Sequence, residues 1–399
     1  ATLDQYGDSC ESCGRTYNPV DLKNPKCSIC ATTPTQQESM HFFFKLSACS
    51  DFCKKFLTEN KKLPSDVVNY LMNWMEKGLE DWDITRDGPY FGIPIPDSKN
   101  KFFYVWFDAP IGYVSSTAHY AAKHGKAANE YWKSNAEIVH FIGKDIQYFH
   151  FLFWPAMLKY SGFNTPSRIP TRGYLNIEGN KMSKSRGTFI TLEEALVKYP
   201  ADYYRYYLTA ITPNNTSDGN FSWPEFEAKV NGELIDSYGN FVYRVLFFAF
   251  TKLGDAIPEP GGYAPEDKEF NDKINAFADE VAGAYEEIEL KIALEKIMVF
   301  AGVCNKYFND REPWHLLKAK PADAHTVVYA CLKAVYALSL ALYPITPKSC
   351  ETVFAQLGLG KTVKKWGDYT AIKPGTRLPA PKIMFEKIRE EKEDQATRP

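Results

Sequence analysis

The sequence has no apolar run approaching the roughly 20 residues that a membrane-spanning helix needs. Its first residues, Ala1-Thr2-Leu3-Asp4-Gln5-Tyr6, lack the basic stretch and apolar core of a secretory leader. Both absences argue against membrane and secreted classes and for a cytoplasmic, reducing setting. An excess of charge of one sign is missing too. Lys and Arg number 47 against 49 Asp and Glu, a formal net charge of −2. No whole-molecule field therefore draws in nucleic acid, and RNA binding has to come from local basic and aromatic patches. What is abundant is core material: 45% hydrophobic residues and 15% aromatics in 399 residues. That suits two or three domains with sizeable cores.

The nine cysteines are unevenly used. Cys10-Glu11-Ser12-Cys13 and Cys27-Ser28-Ile29-Cys30 are C-x-x-C pairs thirteen residues apart in a polar, turn-rich stretch. Each short turn offers two thiolates to one ion, and the intervening loop lets the pairs converge on a tetrahedral site. Four sulfurs leave no open coordination position, so the zinc expected here is structural. Two disulfides or free thiols are the competing readings. Cys49 and Cys53 stand four apart on a predicted helix and read as packing residues.

The chain divides into 1–40, the zinc-knuckle stretch; 41–100, the rest of an insertion; 101–222, an α/β catalytic part; 223–385, a helical bundle; and 386–399, a charged tail expected to end in disorder. Within 41–100 the pattern predicts a strand over 41–46 and helices over 49–60 and 64–80. Three strands of buried type follow: 101–108, 137–142, and one within 168–178. Strands alternating with helices indicate a doubly wound parallel sheet, whose ligands sit beyond the carboxyl ends of the strands. Thr191-Leu192-Glu193-Glu194 reads as a capped helix start, and Asn214–Asn220 as a loop. Long helices are expected over 224–254, 266–309 and 324–342, making a bundle.

Lys181-Met182-Ser183-Lys184-Ser185 follows a strand-like run and a Glu-Gly-Asn turn. Two lysines and two serines on a loop suit a polyphosphate whose charge shifts during reaction. A solvated surface loop is the alternative. Gly143 permits close backbone approach to a ligand. Asp145 suits ribose hydroxyls or serves as an N-cap. Trp106, Ala109, Pro110, Tyr113, Ile146, His150 and Trp154 suggest an aromatic slot, or else core packing. Ile146, His150 and Trp154 fall at i, i+4 and i+8, on one face of a regular helix. Such a slot would suit a polarisable, unbranched thioether side chain.

The K-M-S-K-S run, Tyr104-Val105-Trp106-Phe107-Asp108-Ala109-Pro110-Ile111-Gly112-Tyr113, and His140-Phe141-Ile142-Gly143-Lys144-Asp145-Ile146 through Trp154-Pro155-Ala156 together resemble methionyl-tRNA synthetase, a class I aminoacyl-tRNA synthetase. The resemblance spans nearly the whole chain. It implies a methionine pocket of Trp106, Ala109, Pro110, Tyr113, Ile146, His150 and Trp154. It implies ATP contacts at Gly143, Asp145 and Lys184, and catalytic roles for Lys181 and Lys184. It places Arg86, within Trp82-Asp83-Ile84-Thr85-Arg86-Asp87, at the active site. It implies anticodon reading by Asn240, Arg244 and Trp314, with a base stacked on the tryptophan. ATP, magnesium, methionine and tRNA(Met) are the implied substrates and partners, zinc at Cys10, Cys13, Cys27 and Cys30 the implied structural metal, and no membrane is involved.

One signature of the class is missing. No His-x-Gly-His turn occurs, and the chain begins inside what the family treats as an insertion between two halves of the nucleotide fold. The expectation is therefore the C-terminal half of the parallel sheet, poorly active alone, with the N-terminal half as a separate partner. A non-catalytic RNA-binding module is the second reading. A synthetase for an aliphatic amino acid is the third; the sequence before Trp106 is too short for the editing insertion that those relatives carry.

Overall fold

The computed structural model describes residues 21–27, 30–182, 189–360 and 365–389. Its contacts separate into two units, residues 1–48 with 80–119 and residues 49–79 with 120–399.

In the first unit two short hairpin-like pairings succeed each other. Phe43–Phe44 lies antiparallel to Trp82–Asp83, and Thr85–Asp87 lies antiparallel to Lys101–Phe103. Thr85, fully buried, fastens the first pairing to the second, because its hydroxyl accepts the Phe42 N–H at 2.7 Å. The strand expected over 101–108 is corrected. It stops at Phe103, and Val105–Asp108 is a helical turn. The rings of Phe103 and Phe107 stack with centroids 5.3 Å apart, a four-residue pairing that a pleated strand, which sends alternate residues to one face about 7 Å apart, does not allow. A short aromatic run carries no periodicity that separates strand from helix, so β propensity alone misled. Its pairing is antiparallel, not parallel as expected.

The second unit holds the parallel pairings. Ile142–Gly143 runs parallel to Thr171–Arg172, continued upstream by a bridge from Val139 to Arg168. Leu175–Ile177 is the centre of a three-stranded sheet, antiparallel to Asn180–Lys181 and parallel to Gly219–Phe221. The strands expected near 137–142 and within 168–178 are present but short. The loop expected over 214–220 ends early, because Gly219–Phe221 is a strand with alternating burial. The polar Asp-Gly-Asn sequence reads as a turn, yet Asn220 is the outward residue. Its side chain accepts the Gly179 N–H at 2.8 Å and so ties down the neighbouring hairpin turn. Thr191 caps the helix Leu192–Lys198 in a full capping box with Glu194, as its sequence predicts.

The bundle packs one large core. Trp223–Lys229, a π-helical stretch Val230–Gly239 and Asn240–Lys252 form one unbroken run. The expectation of no apolar run long enough for a membrane span is corrected: Pro321–Leu342 has that length and composition, and 78% of its most apolar window is buried inside the bundle. The single helix expected over 266–309 is two, Pro265–Glu286 and Leu290–Arg311. The break centres on Ile288, whose φ of 61° is left-handed, a conformation that costs a β-branched residue energy. No glycine or proline marks it in the sequence. The strand side of the unit holds the break in place: Arg172 Nη2 donates to the Ile288 carbonyl at 3.3 Å and Arg168 Nη1 to that of Glu286.

Asp267 is fully buried at the start of Pro265–Glu286. It pairs with Arg311 Nε at 2.9 Å, accepts the Tyr307 hydroxyl at 2.7 Å, and accepts the Ala264 N–H at 3.0 Å. A buried carboxylate so satisfied leaves costly orphans when removed. Asp267→Ala is expected to lower unfolding stability by about 3–5 kcal/mol, measured by urea unfolding of the chain.

Candidate functional site

The second unit gathers its polar groups where strands end. Ile142–Gly143 delivers Gly143, Lys144 and Asp145 into a 3₁₀ turn, Lys144–Ile146. A Cβ on Gly143 would sit 2.5 Å from Asp145 Oδ1, so a side chain there requires the Asp145 carboxylate to shift. Thr171–Arg172 leads to Gly173 and Tyr174. A Cβ on Gly173 would fall 2.1 Å from the Ser217 carbonyl oxygen, so the chain reaches Tyr174 only through a glycine. The hairpin Leu175–Ile177/Asn180–Lys181 turns through Glu178 and Gly179, with φ of 47° and 74°, the doubly left-handed geometry of a tight two-residue turn. It presents Lys181, whose ammonium lies 5.5 Å from the centroid of the Tyr174 ring. Lys184 lies outside the described residues.

Lys144 reaches the same ring, 4.8 Å from its centroid, and pairs with Asp218 at 2.6 Å. Asp218 Oδ1 also accepts the Tyr174 N–H at 2.8 Å. The Lys144 hydrogen bond, with that N–H and the charge of Lys181, holds the Asp218 carboxyl below its ordinary pKa. Burial, with the charges of Asp145 and Asp218, raises that of the Tyr174 phenol. Tyr174 and Asp218 have no role in the sequence reading. Asp218 sits in a polar loop with no pattern to single it out.

Ile146, His150 and Trp154 do not lie on one regular helix. A 3₁₀ turn, a π-helical stretch Phe149–Phe153 and the helix Trp154–Tyr160 succeed one another. His150 Nδ1 donates to the Ile146 carbonyl at 3.1 Å, and the rings of His150 and His140 meet edge to face at 5.8 Å. Trp154 Nε1 donates to His140 Nε2 at 3.2 Å. His150 and Trp154 are both buried. His140, quoted in the sequence only as the head of a motif, is thus the residue that orients the Trp154 indole.

Trp106, Ala109, Pro110, Tyr113 and Arg86 belong to the first unit. Trp106 is on the turn Val105–Asp108, and Ile111–Lys123 carries Tyr113. Arg86 lies 3.9 Å from the centroid of the Tyr104 ring and 3.6 Å from Asp83. Beside Trp106, the Asp108 Oδ1 atom is buried with no hydrogen-bond partner among the described residues, an acceptor aimed at no donor. Of the four proposed zinc ligands, Cys10 and Cys13 lie outside the described residues. The Ala31 N–H donates to the Cys27 carbonyl at 2.8 Å, and Ala31 is left-handed. Hydrogen bonds from Thr32 and then Cys27 lower the Cys30 thiol pKa.

In the bundle, Arg244 lies 5.2 Å from the Phe308 ring centroid and donates to Asn309 Oδ1 at 2.6 Å. Trp314 meets Phe308 edge to face at 5.9 Å, and Asn240 is exposed one turn before Arg244. The turn that presents Trp314 passes through Glu312, φ 42°, directly after the Arg311 held by Asp267.

Residues 1–246 match the family described as tRNA synthetases class I (M), and residues 257–398 match the anticodon binding domain of methionyl tRNA ligase. The chain belongs to the class I methionyl-tRNA synthetase family. Methionine–tRNA ligase of Methanopyrus kandleri is 40% identical over 395 residues, covering 98% of this chain and 58% of that protein. That of Methanosphaera stadtmanae is 39% identical, covering 96% and 59%. The chain thus spans a little under three-fifths of these relatives' length. A crystal structure of Mycobacterium tuberculosis methionyl-tRNA synthetase bound by methionyl-adenylate superposes with a TM-score of 0.81 at 28% identity, covering 93% of this chain and 74% of that one. Membership fixes the architecture as a mixed α/β synthetase part joined to a helical anticodon-binding domain.

In this synthetase-family chain the His140–Trp154 bond is pH-sensitive. The accepting Nε2 must be unprotonated, and burial, with His150 opposite, pushes the His140 pKa down from 6.5 to about 4. Burial also lowers that of His150, opposed by its bond to Ile146 and by Asp145. The unfolded chain binds protons between those pH values that the folded chain refuses. Stability is therefore full above pH 6.5 and falls as pH drops towards 4, by up to about 3 kcal/mol from His140. Urea unfolding at pH 7 and pH 4.5 should show a smaller acid loss in His140→Gln than in wild type.

Proposed function

We propose that the chain takes part in methionine–tRNA ligation: activation of methionine by ATP to methionyl-adenylate, then acyl transfer to tRNA(Met), in the cytoplasm. The observation that carries the reading is the cluster at the strand ends, where Lys144, set in the chain between Gly143 and Asp145, and Lys181 of the hairpin both approach the Tyr174 ring. In it, Asp145 accepts the ribose hydroxyls beside Gly143, whose bare backbone permits close approach of the nucleotide. Lys181 and Lys184 bring charge to the phosphates of ATP, taken as its magnesium complex. The methionine carboxylate attacks the α-phosphate in line, and the protein's work is positioning and charge stabilisation rather than covalent chemistry.

Trp106, Ala109, Pro110 and Tyr113 of the first unit, and Ile146, His150 and Trp154 of the second, are assigned to methionine. A thioether against aromatic edges suits that set. Arg86 and the unpartnered Asp108 oxygen are placed near the substrates by the same reading. Zinc held by Cys10, Cys13, Cys27 and Cys30 would brace the knuckle. The finer fold assignment is a doubly wound parallel sheet with a zinc-knuckle insertion, with the domains as divided from the sequence.

Two measurements test the reading. In the polypeptide as the cell makes it, Lys184→Ala should lower methionine-dependent ATP–pyrophosphate exchange by roughly 10²–10³-fold, the cost of one transition-state donor, with methionine affinity unchanged. Unaltered exchange removes the assigned role. For the bundle, Asn240, Arg244 and Trp314 are assigned to the anticodon. Trp314→Ala should weaken binding of an RNA hairpin carrying the methionine anticodon by about 1–3 kcal/mol, read by fluorescence anisotropy, and should not affect a hairpin with an unrelated loop.

A further inference from the structure

Asp218 is the residue at the strand ends that nucleotide binding does not call for. A carboxylate beside two ammonium groups opposes the binding of phosphates, yet here it is built in. Its Oδ1 accepts both the Lys144 ammonium at 2.6 Å and the Tyr174 N–H at 2.8 Å, and the next N–H, of Gly219, goes to the Tyr174 carbonyl at 2.8 Å. Asp218 is thereby fixed by the backbone of the strand pairing, while Lys144 is free to swing on its long stem.

Lys144 also lies 4.8 Å from the Tyr174 ring centroid, across from Lys181 at 5.5 Å. Two like charges against one aromatic ring repel unless one is neutralised, and Asp218 neutralises Lys144. The ion pair is partly open to water, with side chains 28% and 37% exposed. Such a pair is weak enough to be exchanged. A cavity of about 200 Å³ opens beside Lys144, lined by Asp66, Val67, Tyr70, Gln147 and Thr216, which leaves the ammonium room to move.

We propose that Lys144 is a polyphosphate-binding residue restrained by Asp218, which occupies the ammonium until nucleotide phosphates displace it. The exchange swaps one carboxylate for a multiply charged ligand and forms no covalent bond. It also limits how tightly ground-state phosphates are held, since each must displace Asp218 first. This rests on the reading that the chain binds ATP.

The test compares ATP with adenosine, which shares the base and ribose but has no phosphate. Affinities are measured by equilibrium dialysis on the full chain for wild type, Asp218→Asn, Lys144→Met and the double variant. Asparagine keeps an oxygen acceptor for the Tyr174 N–H, and thermal melting confirms folding. Asp218→Asn should tighten ATP by roughly two- to fivefold, the range of a partly exposed ion pair. Adenosine should be unchanged, and the gain should vanish when Lys144 is also Met. The proposal is overturned if Asp218→Asn leaves ATP affinity unchanged or weaker. It is equally overturned if ATP and adenosine shift together, or if the gain survives without Lys144. Wild type that binds neither ATP nor adenosine refutes the underlying reading, and the proposal falls with it. Wild type that binds ATP while the variants fail refutes the proposal alone.

Discussion

The parallel pairing of Leu175–Ile177 with Gly219–Phe221 is the constraint on which the strand-end cluster depends. It brings the polar loop 214–218 against the segment leading to the lysine hairpin, and the approach is so close that only Gly173 fits opposite Ser217. From that one register follow the seat of Asp218 under the Tyr174 N–H, the tether of Asn220 to Gly179, and the turn that aims Lys181 back over Tyr174. A two-residue strand pair at Ile142–Gly143 supplies the other half, with Lys144 and Asp145 just beyond it. The site is thus held largely by backbone hydrogen bonds, and its charged side chains meet only because the strands do.

The bundle is positioned by a different device. Asp267 fixes Arg311, and the left-handed Glu312 that follows turns the chain so that Pro313 opens a new helix with Trp314 against Phe308. Phe308 in turn carries Arg244. A buried charge knot at one end of two long helices therefore sets the turn that places Trp314 against Phe308. Arg168 and Arg172 bind the carbonyls at the end of Pro265–Glu286, so the strand that feeds Tyr174 is also anchored to the bundle.

Much of this was legible in the sequence where a local rule operates. The capping box at Thr191, the helices beginning near Ser50 and Ser65 and the core helix 324–342 each follow from residue type and spacing. The family, too, was legible from three long motifs. The failures are equally local. Tyr104–Asp108 is rich in residues that favour strands, and only packing of Phe103 on Phe107 makes it helical. Ile288 breaks a helix with no glycine or proline to mark it, because arginines from a distant strand hold its carbonyls. Gly219–Phe221 looks like a turn until its partner strand is in place. His140, Tyr174 and Asp218 acquire meaning only from neighbours far away in sequence, which periodicity cannot report.

The central claim is that the strand ends at Gly143 and Tyr174, with the lysine hairpin, form one nucleotide-binding surface. Amide hydrogen–deuterium exchange, with and without ATP plus methionine, tests it most directly. The account predicts slowed exchange in residues 143–147 and 173–190, with Asn240–Lys252 unchanged. Ligand-induced protection absent from both strand-end segments, or confined to the bundle, would contradict it.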